Sequence, residues 1–126
     1  MITGIILFAH GSRVESANQA VRSVASELAR RGNFAHVEAA FLELGEPDLM
    51  GATAKLVELG AERILVLPYF LTLGLHMERD LPRLTQSISN HYKELEVLVG
   101  DPLDGHPALV DILLDRSLSI LRSRNA

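Results

Sequence analysis

The 126-residue sequence contains no cysteine. Disulfide bonds, zinc–thiolate clusters and thiol chemistry are therefore excluded, and the reducing cytoplasm is the expected compartment. The sequence also lacks an apolar run long enough to cross a bilayer, because Pro68 and Thr72 interrupt the longest one, which covers residues 64–75. The amino terminus has no basic segment, so we expect no signal peptide and no membrane association.

Positive charge is scarce. Lysine and arginine together number 12 against 16 aspartates and glutamates, which leaves a net charge of −4 at pH 7. This balance argues against a general nucleic-acid surface, and we expect no nucleic acid among the partners. A dinucleotide-binding loop is also absent, because Gly11-Ser12 is not followed by a further Gly-x-x-Gly pattern.

Short apolar runs alternate with segments of helical periodicity along the whole chain. The length predicts one domain covering residues 1–126. Buried strands are predicted over residues 5–9, 37–42, 64–67 and 95–99. A helix is predicted after each strand, and the order β-α-β-α-β-α-β-α with short connections predicts an α/β fold. The expected architecture is a three-layer αβα sandwich around a four-stranded parallel sheet.

Local signals predict where the helices begin. Ser12 is expected to cap the first helix, and Pro47 is expected in the first turn of the second. The third helix is predicted from about Met77 to His91; Pro82 must lie near the start of its first turn, or the helix kinks. The last helix, over about residues 107–122, is apolar on more than one face, so it is either deeply buried or covered on both sides, which would need a partner subunit.

Four chemistry-bearing side chains follow the ends of predicted strands. His10 follows the first strand, Glu43 and Glu46 follow the second, and His76 follows the third. In a parallel sheet these positions share the carboxyl edge, where such folds bind their ligands. Imidazole and carboxylate together suit a borderline divalent metal ion.

Three of these residues also have a structural interpretation. His10 could be a buried histidine bonded to loop backbone, and His76 a solvated loop residue. Glu46 could simply favour the start of a helix electrostatically. The nearby arginines are either solvated or suited to a substrate that bears carboxylates; they are Arg13, Arg79 and Arg83.

Three elements carry a family resemblance: Ala9-His10-Gly11-Ser12-Arg13, Phe41-Leu42-Glu43 with Glu46-Pro47, and the segment 68–76 with Asp80-Leu81-Pro82. In this order and at these spacings the chain resembles the class II chelatases over essentially its whole length. It is most similar to the short-form sirohydrochlorin chelatases, called CbiX in cobalamin synthesis and SirB in sirohaem synthesis.

The resemblance implies an enzyme, a lyase that inserts Co²⁺ or Fe²⁺ into the tetrapyrrole sirohydrochlorin. It implies that His10 and His76 bind the metal and that His10 also accepts a proton, a task that the carboxylate of Glu43 can share. The implied substrate-binding residues are Glu43, Glu46, Leu71, Thr72, Leu73, Gly74, Leu75 and His76. The metal is a substrate, and no organic cofactor is implied.

A chain of this length resembles one half of the long-form enzymes, which implies a homodimer with the cleft between subunits. Three alternatives stay open from the sequence. The first is nickel insertion into the same pigment, and the second is a metal or tetrapyrrole carrier without turnover. The third is a flavodoxin-like binding module, for which Gly11-Ser12 is a poor phosphate loop.

Overall fold

Strands and helices alternate as predicted in the computed structural model, which describes residues 1–125. The strands run over β1 Thr3–Ala9, β2 Val37–Phe41, β3 Arg63–Pro68 and β4 Glu96–Val99. The helices run over α1 Glu15–Gly32, α2 Leu49–Glu58, α3 Leu75–His91 and α4 Ala108–Asn125. The strand order is β2-β1-β3-β4 and every pairing is parallel, so the predicted α/β fold is confirmed.

The two faces of the sheet are covered by different helices. On one face Phe8 of β1 belongs to a core formed with α2 and α3, including Leu56 and Ile88. On the other face Leu7 and Ala9 pack with Ala25 of α1. Strand β1 is therefore buried on both sides, which is why its sequence reads as an unbroken apolar run. This burial holds the carboxyl ends of β1, β2 and β3 side by side.

The predicted starts of the first two helices are wrong. Helix α1 begins at Glu15, and its cap position, Val14, makes no side-chain cap bond; the Ser12 hydroxyl instead accepts from the N–H of Val14 at 3.0 Å. Pro47 lies before α2, outside its first turn. The cap is Asp48, whose carboxylate accepts from the N–H of Gly51 at 2.8 Å and so satisfies a free donor of the first turn.

Helix α3 begins two residues earlier than predicted. The carbonyl of the extended residue Gly74 accepts from the N–H of Glu78 at 2.9 Å, which starts the helix at Leu75. Pro82 consequently lies inside the helix, so the prediction that it lies near the first turn is wrong. His76 is likewise a residue of the first helical turn, whereas the sequence suggested a loop.

Helix α4 is the exception to the layered packing. No strand or helix within residues 1–125 packs extensively against it, and its large apolar side chains are exposed, Val110 by 68% and Leu113 by 66%. The alternative of deep burial within the chain is therefore wrong. On the α1 side of the sheet, Leu98 of β4 is also 48% exposed beside its register partner Leu65. None of the described helices is long and apolar enough to cross a membrane.

Candidate functional site

The first element of the site is the turn that follows β1. His10 is the first residue after the strand, and its side chain is 58% exposed. Gly11 then turns the chain with φ +95°, a left-handed conformation that L side chains rarely adopt. The imidazole therefore stands at the edge of the sheet, and the alternative of a buried histidine bonded to backbone is wrong.

The second element is the loop that follows β2, which lies directly against the first. The ladder between the strands continues past their ends, because the N–H of Leu42 donates to the carbonyl of Ala9 at 2.9 Å and the N–H of Glu43 to that of His10 at 3.0 Å. Above this ladder the Nε2 atom of His10 lies 3.1 Å from a carboxylate oxygen of Glu43. The structure thus brings these two side chains into direct contact.

Glu46 lies further along the same loop. Its side chain is exposed, and it lies ahead of the α2 cap residue, Asp48. Glu43, Glu46 and Asp48 line an open depression of about 440 Å³ together with the backbone of Gly45. Three carboxylates around one concavity give this part of the edge a negative charge, which favours an approaching cation.

The third element of the site is the loop that follows β3 and the start of α3, which carry His76. Its side chain is exposed on the first turn of α3, after the loop of residues 71–74. In that loop Leu71 is 62% exposed, whereas Leu73 packs against the core. Within residues 1–125 no three histidine or acidic side chains are arranged to hold a metal ion, so the chain does not join His76 to the pair as a closed cage.

The arginines that border the edge differ in their contacts. Arg83 faces Asp80 across 3.6 Å on α3. Arg13 and Arg79 form no ion pair within the described part of the chain. Arg79 follows His76 by one helical turn, so the two side chains share a face of α3. Two guanidinium groups with unused hydrogen-bond donors therefore lie near the histidines.

Sequence reasoning missed two residues of α1 that contact the site loops. Asn18 is 2% exposed and bonds to backbone atoms of Ser12 and Leu44. Arg22 donates to the carbonyl of Glu46 at 3.1 Å and stacks over the ring of Phe41 at 5.2 Å. The available signal was a polar residue on the buried stripe of an amphipathic helix, since Asn18 lies between apolar positions of that stripe.

One pKa near the site is shifted. The hydrogen bond from Arg22 to Glu15, with a further one from Asn18, holds the pKa of the Glu15 carboxyl below its usual range. Glu15 is therefore ionised at neutral pH and keeps the Arg22 guanidinium directed toward the loop after β2.

An exposed imidazole in contact with a carboxylate can do two things. It can bind a divalent cation through nitrogen and oxygen, and it can accept a proton from a bound molecule while the carboxylate stabilises the resulting imidazolium. The pair has few ligands and faces solvent, so a metal held there stays accessible to a competing ligand. This arrangement suits a reaction that moves a metal ion or a proton at the sheet edge.

Comparison with known proteins supplies the biological setting. The model of the CbiX family matches residues 4–120. A sirohydrochlorin cobaltochelatase of Sulfolobus acidocaldarius is 35% identical over 90% of this chain and 89% of its own length. A chloroplastic sirohydrochlorin ferrochelatase of Arabidopsis thaliana is 34% identical over 90% of this chain but only 50% of its own length.

A solved structure is similar over nearly the whole chain. The sirohydrochlorin chelatase SirB of Bacillus subtilis subspecies spizizenii, crystallised in complex with cobalt, superposes with a TM-score of 0.88 at 27% identity. The match covers 95% of this chain and 51% of SirB. The present chain therefore spans about half the length of that protein.

Proposed function

Because the chain belongs to the CbiX family, we propose that it is a sirohydrochlorin chelatase, an enzyme that inserts a divalent metal ion into sirohydrochlorin. The metal substrate is Co²⁺ or Fe²⁺, which would serve cobalamin or sirohaem synthesis. The observation in this molecule that carries the proposal is the 3.1 Å contact between His10 and Glu43 at the carboxyl edge of the sheet. Residues 1–126 form a single CbiX-like domain in this proposal.

The chemistry explains why an imidazole–carboxylate pair is useful. Two N–H protons must leave the ring of the pigment while the metal ion sheds water and enters it. His10 binds the ion through one nitrogen and, as the ion leaves for the ring, accepts one of the two protons, while the Glu43 carboxylate accepts the other. An open pair of ligands also releases the ion more readily to four ring nitrogens than a closed cage would.

His76 is the second metal ligand in this proposal, and residues 71–76 with Glu43 and Glu46 contact the pigment. Sirohydrochlorin bears peripheral carboxylates, which planar guanidinium groups bind through paired hydrogen bonds. Arg13 and Arg79 form no ion pair within residues 1–125, so their donors are free for this purpose. The acidic depression beside Glu46 would receive the metal cation.

We further propose that the active form is a homodimer. Helix α4 leaves large apolar side chains in water, as Val110 and Leu113 illustrate, and the α1-side face of β4 leaves Leu98 half-exposed. In a symmetric dimer each chain covers helix α4 of the other chain. The apolar side chains of α4 and the exposed face of β4 are then removed from water in both chains. Relatives of twice this length hold enough chain for two such units. The dimer would complete the site by bringing the two sheet edges around one pigment.

The proposed setting is the cytoplasm, with sirohydrochlorin as the binding partner and neither nucleic acid nor membrane involved. The absence of cysteine and the net charge of −4 support this setting. No organic cofactor is needed, because metal insertion is neither a redox reaction nor a group transfer.

The test is metal insertion by the purified protein with Fe²⁺, Co²⁺ and Ni²⁺ in parallel anaerobic reactions. The absorption spectrum of sirohydrochlorin should change many times faster than with the metal alone. A His10→Ala variant should lose roughly 10²-fold or more of this acceleration, the usual contribution of a general base. Stoichiometric pigment binding with an unchanged rate would instead identify a carrier, and a rate highest with Ni²⁺ would identify a nickel chelatase.

A further inference from the structure

Asn18 is the one buried side chain of α1 whose polar groups reach outside its own helix. It is 2% exposed, and its carbonyl oxygen accepts from the N–H of Ser12 at 2.9 Å. Its amide nitrogen donates to the carbonyl of Ser12 at 2.9 Å and to that of Leu44 at 3.0 Å. Thr53, the other buried polar residue in the described chain, bonds only within its own helix, to Leu49. Asn18 therefore joins separate segments, whereas Thr53 does not.

The segments that Asn18 joins are the two loops of the site. Ser12 belongs to the loop that carries His10, and Leu44 directly follows Glu43. A buried amide with every strong donor and acceptor used holds its partners in one arrangement, because breaking any of these bonds would leave a buried polar group unpaired. The backbone positions on either side of the His10–Glu43 contact are thereby fixed relative to each other.

The His10–Glu43 contact needs this support. The two side chains are 58% and 57% exposed, so surrounding groups do not hold them by packing. An exposed pair of this kind contributes little free energy of its own. The distance between the imidazole and the carboxylate must therefore be set by the backbone from which the two side chains project.

Arg22 lies one helical turn after Asn18 and also binds the loop that follows β2. Glu15, Asn18 and Arg22 lie on one face of α1, and Arg22 donates to the carbonyl of Glu46. The loop after β2 is thus bound to α1 at Leu44 through Asn18 and at Glu46 through Arg22. The side chains of Glu43 and Glu46 therefore project from backbone at or next to the points that α1 holds.

We infer that Asn18 is a positioning residue that keeps His10 and Glu43 within hydrogen-bond distance by binding Ser12 and Leu44. This inference rests on the proposed function only for its activity readout. Asn18 is buried beneath the two loops, so it offers almost no surface for contact with a metal ion or a pigment. Its effect on catalysis passes through the relative position of the two loops.

The test is a double-mutant cycle with Asn18→Asp and Glu43→Gln. Aspartate keeps the size of the side chain but replaces the bonds donated to Ser12, Leu44 and Glu15 with oxygen–oxygen repulsion. We expect Asn18→Asp to lower kcat for Co²⁺ insertion at least about tenfold in the native background and less than about threefold in the Glu43→Gln background, since coupled residues are non-additive. Equal factors in both backgrounds would overturn the inference.

A matched control is Thr53→Val, which removes a buried hydroxyl bonded only within α2. It should lower Tm but leave kcat unchanged at temperatures where the protein is folded, and its effect should add to that of Glu43→Gln. Should Asn18→Asp fail to fold, Gly45→Ala disturbs the same contact, because a Cβ there would lie 3.0 Å from the amide nitrogen of Asn18.

A second readout does not depend on enzyme activity. In the metal-free protein, Glu43→Gln should shift the NMR signals of the His10 imidazole, and this shift should be largely lost when Asn18→Asp is already present. If the native protein inserts no metal but the NMR coupling is seen, the proposed function fails and the positioning role stands. If insertion is seen but Asn18→Asp leaves the NMR coupling intact, the positioning role fails.

Discussion

The carbonyl oxygen of Glu43 occupies the space into which any side chain at position 11 would project. A Cβ atom on Gly11 would lie 1.7 Å from that oxygen, and Gly11 also has φ +95°. The two loops of the candidate site therefore approach as closely as their backbones allow, and only glycine permits this approach.

Gly11→Ala should accordingly destabilise the protein more than a left-handed backbone conformation alone explains. That conformation costs roughly 1–2 kcal/mol for an L residue, and the overlap with Glu43 adds to it. Urea unfolding measures the difference. Gly105 has φ +80° and open space around it, so Gly105→Ala should show the conformational cost alone. Gly74 has open space and no positive φ, so Gly74→Ala should show neither the conformational cost nor an overlap. A Gly11→Ala variant no less stable than Gly105→Ala would contradict the close approach.

His76→Ala should raise the KM for Co²⁺ roughly tenfold or more, because loss of a group that supports a metal commonly costs 10–100-fold in affinity. His91 is a matched control. It is also exposed on α3 but lies at the opposite end of the helix, against the ring of Tyr92. His91→Ala should leave KM unchanged. Equal effects of the two substitutions would rule out a metal-binding role for His76.

Arg79→Gln should raise the KM for sirohydrochlorin with little change in the KM for the metal ion, since a guanidinium that binds substrate carboxylates acts on the pigment alone. The control is Arg31→Gln, whose guanidinium pairs with Glu27 on α1 away from the sheet edge. Initial rates measured at varied pigment and fixed metal concentration, and then the reverse, separate the two constants. A larger rise in the KM for the metal would contradict the assignment.

Leu113→Glu should shift the protein from dimer to monomer, because it introduces a charge into the apolar surface of α4. The native protein should sediment with about twice the 13.8 kDa of one chain, and the variant with the mass of one. Asp111→Asn alters an exposed position of the same helix without adding charge to that surface, and it should leave the dimer intact. A native protein that sediments as a monomer would refute the proposed dimer.

The pH dependence of stability should differ between native protein and Glu15→Gln. The pKa of Glu15 is lowered in the folded state, so its carboxylate stabilises the fold above the ordinary glutamate pKa. This contribution is lost as the pH falls through the lowered folded-state pKa. The Tm difference between the two proteins should therefore be present at pH 7 and disappear in strong acid. Glu27→Gln should show the same pH trend, since Arg30 lowers the pKa of Glu27, but only Glu15→Gln should also reduce metal insertion.

The strands and their order along the chain were predictable from sequence because burial on both faces leaves an apolar run that can be read locally. Ile5 to Ala9 illustrates this. Helix starts were less predictable. Ser12 and Pro47 both carry the expected chemistry for a first turn, yet Asp48 and the backbone geometry around Val14 determine where the helices begin. Several residues compete for each cap, and the loop conformation decides among them.

Part of the candidate site was likewise predictable from the sequence, and part was not. That His10 and Glu43 share a sheet edge follows from the parallel sheet, which the alternation of elements made predictable. The strand order that makes β1 and β2 neighbours was not predicted. A polar residue on the buried stripe of α1 marks Asn18 as unusual, but nothing in the sequence of α1 indicates which loops its side chain reaches. His76 keeps its predicted place at the edge, but the described chain does not bring it into a three-ligand cluster.

By itself the sequence determined the layered α/β fold, the absence of thiol chemistry and the residue types available at the carboxyl edge. These properties depend on composition and on periodicity, which are local. Only the tertiary structure decided that His10 contacts Glu43, that Asn18 joins their loops, and that α4 finds no cover among residues 1–125. Those outcomes depend on distances between segments far apart in sequence, which are set by how the helices pack on the sheet.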